Sequence, residues 1–233
     1  MLILFDIDAT MITTGGVGIK AMVAAGRELF GPGFNADGID FAGRLDPLIL
    51  GEMLDRSGVP RNAKNFADMR RGYGKYLVGE LKNSDKKRVL PGVHELLARV
   101  GNEPGATRGL LTGNFQETGS LKLSMCGIDP TQFSVQVWGD ESPHDPPARS
   151  HLPPIGIDRY HKLHGRPVAS RDVTIIGDTP HDITCAKTHG CRSLGVATGK
   201  FKVDELAAVG ADRVVQDLSD TDSIARWLLS PAK

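Results

Sequence analysis

Met1-Leu-Ile-Leu-Phe-Asp-Ile-Asp-Ala-Thr10 opens the chain. Leu2 to Phe5 form an apolar run without alternation, the pattern of a strand buried on both faces of a parallel sheet. The run stops at Asp6, and Asp8 follows two residues on. An acid at the carboxyl end of such a strand stands where open α/β sheets bind ligands. Two carboxylates this close repel, and a cation or a shared proton must offset the repulsion. A strand followed by a solvated acidic turn would read the same way, so the remaining residues decide.

Downstream of Arg88 the chain alternates strand and helix. Strands are predicted at Arg108–Thr112, Phe133–Trp138, Asp172–Gly177, Ser193–Ala197 and Arg213–Val215, with helices at Gln116–Met125, Pro154–His164, Pro180–His189, Val203–Val209 and Ser223–Leu229. This rhythm means βαβ units and a parallel sheet. Between the first two core strands the pattern changes. Met11–Gly18 reads as a Thr- and Gly-rich loop, and helices follow at Ile19–Phe30, from Asp46 with Pro47 at its first turn, and at Asn62–Lys82, with no convincing strand among them. Asp46 is read as the cap of its own helix. The expected fold is α/β: a three-layer Rossmann-like core from residues 1–14 and 89–233, with an all-helical module, 15–88, inserted in it.

Composition narrows the function. The 233 residues carry 28 Lys/Arg and 28 Asp/Glu, and a net charge of zero argues against non-specific nucleic-acid or membrane binding. The charge is unevenly spread: Arg44–Arg88 holds 11 Lys/Arg against 6 Asp/Glu, leaving 17 against 22 elsewhere. For most of these cations a solvated helix surface is the expected role. Cys126, Cys185 and Cys191 form no CxxC pair, no apolar stretch has membrane-spanning length, and no signal-peptide pattern precedes the first strand. A cytoplasmic protein is expected.

The strand ends carry the chemistry. The first ends at Asp6, the second at Thr112-Gly113-Asn114, and Asp172–Gly177 runs into Asp178-Thr-Pro-His-Asp182. In a parallel sheet these ends share one edge. Helix capping accounts for Asp178 or Thr179 singly, but not for four acids on one edge. All-oxygen donors of this kind favour Mg²⁺. His144, Asp145 and His151 in the loop Gly139–Pro154 lack a metal-ligand spacing and are read as loop residues.

Phe5-Asp-Ile-Asp-Ala-Thr10, Leu111-Thr-Gly-Asn114 and Ile176-Gly-Asp-Thr-Pro-His-Asp182 resemble the first, second and fourth motifs of the haloacid dehalogenase superfamily, in order and over essentially the whole chain. The pattern is most similar to phosphoglycolate-phosphatase-like members, and the helical module stands where that family carries a type 1 cap. The resemblance implies Asp6 as the nucleophile that becomes an aspartyl phosphate. It implies Mg²⁺ held by the side chains of Asp6 and Asp178 and the backbone carbonyl of Asp8, with Asp182 in an outer or water-mediated place. Asp8 would be acid and base at the leaving oxygen, and Thr112, with amides near Gly113 and Asn114, would hold the phosphoryl oxygens. Members that cleave carbon–halogen bonds or phosphonates lack an acid at the Asp8 position, so its presence favours phosphate esters.

Two positions depart from the family pattern. Ala9 replaces the usual Gly and is read as tolerated, since a methyl group costs something only if the turn needs positive φ. The third motif normally supplies a Lys, yet no lysine lies between Lys122 and Lys162. Arg149 is the first substitute, able to neutralise Asp6 and the phosphoryl group with a fork of donors, and His151 is the second. Phe41-Ala-Gly-Arg-Leu-Asp46 looks like the substrate-specificity loop of type 1 caps, which puts Gly43, Arg44 and Asp46 near the leaving group. The expected partner is a small phosphorylated metabolite, with the protein a monomer or homodimer. A sugar-phosphate mutase of the β-phosphoglucomutase type and a non-catalytic binding or regulatory relative remain as alternatives.

Overall fold

The computed structural model describes residues 1–230. In chain order its elements are β1 Leu2–Phe5, β2 Ile12–Thr13, α1 Val17–Phe30, α2 Asp46–Arg56, α3 Ala63–Asn83, β3 Arg88–Val89, α4 Val93–Gly101, β4 Thr107–Leu111, α5 Gln116–Met125, β5 Val135–Val137, α6 Leu152–His164, β6 Val173–Gly177, α7 Pro180–Thr188, β7 Arg192–Val196, α8 Val203–Ala208, β8 Arg213–Val215 and α9 Thr221–Leu229. Six strands form one parallel sheet in the order β5-β4-β1-β6-β7-β8, which puts β1 between the strands that end in the other two motifs.

The apolar run of β1 is buried on both sides, and its alternation sorts two cores. Ile3 and Phe5 pack with Leu96, Leu97 and Val100 of α4, Leu123 of α5 and Ile224 and Leu228 of α9. Leu2 and Leu4 pack on the opposite face with Leu152 and Tyr160 of α6 and Cys185 and Ala186 of α7. The result is the three-layer α/β core that the strand–helix rhythm predicts. Helices α1, α2 and α3 bring a third cluster, including Met22, Leu50, Met53, Met69, Tyr73 and Leu77, into which Phe115 of the main core projects.

Register fixes the site. Phe5 pairs with Leu110 and with Ile176, and the Asp6 N–H donates to the Ile176 carbonyl at 2.9 Å. Asp6, Thr112 and Asp178 therefore leave the sheet at the same edge, within a residue of one another along the strands. No helix among the described residues is long and apolar enough to cross a membrane.

Three local expectations are corrected. The segment after Thr10 is not only loop: Ile12–Thr13 pairs antiparallel with Arg88–Val89, a two-stranded ribbon at the root of the helical insertion. Two residues per strand are too few to leave a periodic trace. Leu45, not Asp46, is the N-cap of α2, and Asp46 is its first helical residue.

Ala9 is the third correction, with φ +56° the one non-glycine residue in the left-handed region among the described residues. The turn does need positive φ, because the Ala9 N–H folds back onto the Ile12 carbonyl at 2.7 Å while the Ala9 carbonyl accepts from Thr198 Oγ1 at 2.5 Å. A left-handed alanine costs about 1–2 kcal/mol, and Gly returns about 0.4–1 kcal/mol of unfolded-state entropy. Ala9→Gly is therefore expected to raise stability by about 0.5–1 kcal/mol in urea unfolding; a loss would show that the turn is unstrained.

Candidate active site

Asp6, Asp178 and Asp182 are buried together, 5%, 4% and 1% exposed, and offer carboxylate oxygens all within 4.8 Å of one another. Their elements explain the cluster. Asp6 and Asp178 extend β1 and β6, while Asp182 lies in the first turn of α7, where its Oδ2 accepts from the Thr179 N–H (3.1 Å) and hydroxyl (2.7 Å). Thr10 Oγ1 donates to Asp178 at 3.3 Å. Gly199 follows β7 and touches the Asp178 carboxylate so closely that a Cβ there would lie 1.8 Å from Oδ2.

One cation sits within this cluster. Arg149 Nη2 lies 3.0 Å from Asp6 Oδ1 and 2.5 Å from Asp182 Oδ1, and Nη1 donates to the Gly43 carbonyl at 3.2 Å. Its buried Nε–H has no acceptor. A single guanidinium leaves the three acids in excess, and two of them, Asp6 and Asp178, hold their protons more tightly than usual. Burial pushes Asp6 up to about 6, with Asp182 and Asp8 adding to the rise and Arg149 opposing it. Burial likewise raises Asp178, with Asp182 and Asp6 reinforcing it. Hard oxygen donors with a net charge deficit fit a divalent cation such as Mg²⁺. Both Asp182 oxygens already accept hydrogen bonds, which suits an orienting place better than direct ligation.

Asp8 points elsewhere. Its Oδ2 accepts from Lys122 Nζ at 2.8 Å and from Asn114 Nδ2 at 2.9 Å, and its side chain is 42% exposed. Asn114 also donates to Thr112 Oγ1 at 2.8 Å and accepts from Lys122 Nζ at 2.6 Å. Thr112, Asn114, Lys122 and Asp8 thus form one chain of hydrogen bonds in which the Thr112 hydroxyl proton remains uncommitted. Burial alone would weaken the Lys122 ammonium, but Asp8, Tyr73 and Asp46 outweigh it and hold the charge.

These groups line a cavity of about 340 Å³ between the sheet edge and the helical insertion, along with Gly43, Arg44, Asp46, Gly113, Tyr73 and Lys200. Gly43–Asp46 is seated hard on the core. A Cβ at Gly113 would lie 2.0 Å from the Arg44 carbonyl, and one at Gly43 would lie 2.4 Å from Thr179 Oγ1. Asp46 donates its N–H to the Gly113 carbonyl at 2.7 Å and accepts from the Phe115 N–H at 3.2 Å. It therefore supplies the side-chain cap that α5 lacks in its own sequence. Arg44 turns to Glu52 at 2.7 Å. His151 hydrogen-bonds Ser142 at 2.8 Å within its own loop, away from Asp6.

Lys122, Tyr73, Gly199 and Lys200 escaped the sequence reading. Lys122 carried one signal: it falls with Thr118, Gly119 and Leu123 on the buried face of α5, where a lysine must find a carboxylate.

With this geometry in view, the relatives can be placed. Residues 153–221 match the HAD-hydrolase-like family model, a segment that includes Asp178 and Asp182. The chain is 26% identical to "Probable phosphatase IndB" of Dickeya dadantii, over 98% of this chain and 94% of the relative. It is 24% identical to a phosphoglycolate phosphatase of Vibrio parahaemolyticus, over 94% and 93%. The chain is thus similar to haloacid dehalogenase-like hydrolases over residues 153–221 and to phosphatases over nearly its whole length. Among solved structures of the same fold, CbbY from Rhodobacter sphaeroides, in complex with phosphate, superposes with a TM-score of 0.73 at 20% identity, over 94% of this chain and 95% of that one.

Asp46 carries a measurable consequence of its buried place in this fold. Burial raises its pKa to about 6, against a smaller opposing pull from Lys122. A raised carboxyl pKa makes the folded state bind more protons than the unfolded one, so stability falls as pH rises from about 4 through about 6. Asp46→Asn keeps an acceptor for Phe115 and cannot ionise. Its stability relative to the unsubstituted protein is expected to improve between pH 4 and 7 by at most about 3 kcal/mol in urea unfolding; a relative loss over that range would contradict this reading.

Proposed function

We propose that the protein is a Mg²⁺-dependent phosphatase that hydrolyses a small-metabolite phosphomonoester through an aspartyl phosphate on Asp6. The observation that carries it is the division of charge at the sheet edge: a buried nucleophile paired with Arg149, and a separate, half-exposed carboxylate, Asp8, held by Lys122 and Asn114. Relatives aligned over nearly their whole length bear the name phosphatase, which supports a phosphoric monoester hydrolase.

Each residue then has a task. Asp6 Oδ attacks phosphorus in line with the ester oxygen. Arg149 lowers the repulsion between Asp6 and the incoming phosphoryl group, and its unpaired Nε–H offers a further donor. Bound Mg²⁺, held by Asp6, Asp178 and the Asp8 carbonyl, would neutralise charge on the phosphoryl oxygens. The Thr112 hydroxyl and the amides near Gly113 and Asn114 receive those oxygens. Asp8 gives a proton to the leaving alkoxide and then takes one from the water that attacks the aspartyl phosphate. The helical insertion acts as the cap, and Gly43, Arg44 and Asp46 form its contact with the core above the reacting group.

A mutase is less well supported, because every cation lining the cavity already has a carboxylate partner, which suits one phosphoryl group better than a bisphosphate. We place the protein in the cytoplasm, as a monomer or homodimer, acting on metabolites and not on nucleic acid.

With Mg²⁺ present, steady hydrolysis of an aryl phosphate is expected, and Asp6→Asn should lower kcat by about a thousandfold or more. Equal rates in the two proteins would end the proposal. Removal of the divalent cation with a chelator should abolish turnover, with Mg²⁺ restoring it. Added Mg²⁺ should also raise the thermal midpoint of the unsubstituted protein more than that of Asp178→Asn. An equal rise in both would remove Asp178 from the metal site.

A further inference from the structure

Tyr73 is fully buried, yet its hydroxyl has no hydrogen-bond partner. Native folds rarely leave a buried donor unspent unless something else completes it. The residue stands on α3, borders the cavity and faces Lys122 across the start of α1: a Cβ at Gly18 would lie 3.3 Å from Tyr73 Oη and 3.5 Å from Lys122 Nζ. Lys122 has three N–H donors and spends two of them, on Asp8 and Asn114. That third N–H faces the Tyr73 oxygen, so the Tyr73 O–H is the donor left without an acceptor at one corner of the cavity. That corner adjoins Asp8, the group assigned to the leaving oxygen.

The charges around this corner define what fits it. Arg44 is paired with Glu52, Lys122 with Asp8, Arg149 with Asp6 and Asp182, and Lys200 with Asp40. No lining cation is left unmatched for a carboxylate, and Asp46 adds a buried acid to the same wall. Ile19, Met22 and Ile49 provide the remaining surface. An anionic substituent would meet two acids and one ammonium there; a neutral oxygen would meet the free Tyr73 O–H, which Lys122 orients.

We propose that Tyr73 and Lys122 form a leaving-group subsite for a neutral hydroxyl oxygen on the carbon chain beside the ester, so that the substrates are phosphate esters of polyols or sugars and not of hydroxy acids. This specificity rests on the phosphatase reading above. A site built to hydrogen-bond a substrate hydroxyl discriminates against the analogue that lacks it, because its buried donors are then left unpaired.

Glycerol 1-phosphate, n-propyl phosphate and 2-phosphoglycolate, compared by kcat/KM with Mg²⁺ in the unsubstituted protein and Tyr73→Phe, test the assignment. Glycerol 1-phosphate should exceed n-propyl phosphate by about tenfold, the effect of one net hydrogen bond, and should also exceed 2-phosphoglycolate. In Tyr73→Phe the first ratio should fall to about one, while the unfolding midpoint stays level or rises, since the lost hydroxyl had no partner. Calorimetric binding of the same esters in Asp6→Asn and Asp6→Asn/Tyr73→Phe reads the subsite without turnover and should show the same ratios. Preference for 2-phosphoglycolate, a glycerol-to-propyl ratio that survives Tyr73→Phe, or an equal loss for all three esters with a lower midpoint would overturn the assignment. Absence of turnover of every ester would count against the phosphatase reading, and the binding ratios would still decide the subsite.

Discussion

Three carboxylates buried around one guanidinium are the constraint on which this structure turns. Asp6, Asp178 and Asp182 are nearly inaccessible to water, and Arg149 compensates only part of their charge. Such a cluster persists where the backbone holds each member in place and a further positive group or a bound proton completes it. Strand register supplies the first condition, by ending β1, β4 and β6 on one edge. The phosphoryl-transfer reading supplies the second, since the missing charge and the hard oxygen donors are what a divalent cation requires.

A second balance operates beside the first. Lys122 is buried, and would be costly there without Asp8 and Asn114. The positive charge at this edge is split between two residues: Arg149 pairs with Asp6, and Lys122 pairs with Asp8. The helical insertion is tied into both halves. Gly43 accepts from Arg149, Asp46 caps α5, and Arg70 reaches across to Glu117 and Asp140 at 2.6 and 2.7 Å while lying over the Phe115 ring. Other cations of that segment are spent in pairs too, Lys75 on Glu28 and Lys64 on Asp68 among them.

The sheet and its edge were legible because their signals are local. An uninterrupted apolar run, an acid at its end and the strand–helix rhythm each read directly from neighbouring residues, and the absence of a lysine between Lys122 and Lys162 points to Arg149. What escaped depends on contacts far apart in the chain. Lys122 lies on a helix whose apolar residues form no clear stripe, so its one signal, a face shared with Thr118, Gly119 and Leu123, is weak. Tyr73 looks like packing because its hydroxyl matters only opposite Gly18 and Lys122. Asp46 resembles a cap of its own helix, and its true acceptor duty toward Phe115 is set by tertiary packing. The strain at Ala9 needs φ, which residue identity alone does not give.

The most direct test is to mix the protein with an aryl phosphate and Mg²⁺, quench in acid during turnover, and map any phosphoryl adduct by peptide mass spectrometry. The account predicts an adduct on the amino-terminal peptide, at Asp6, that is absent in Asp6→Asn. Steady hydrolysis with no adduct at Asp6, or with one on another residue, would contradict it.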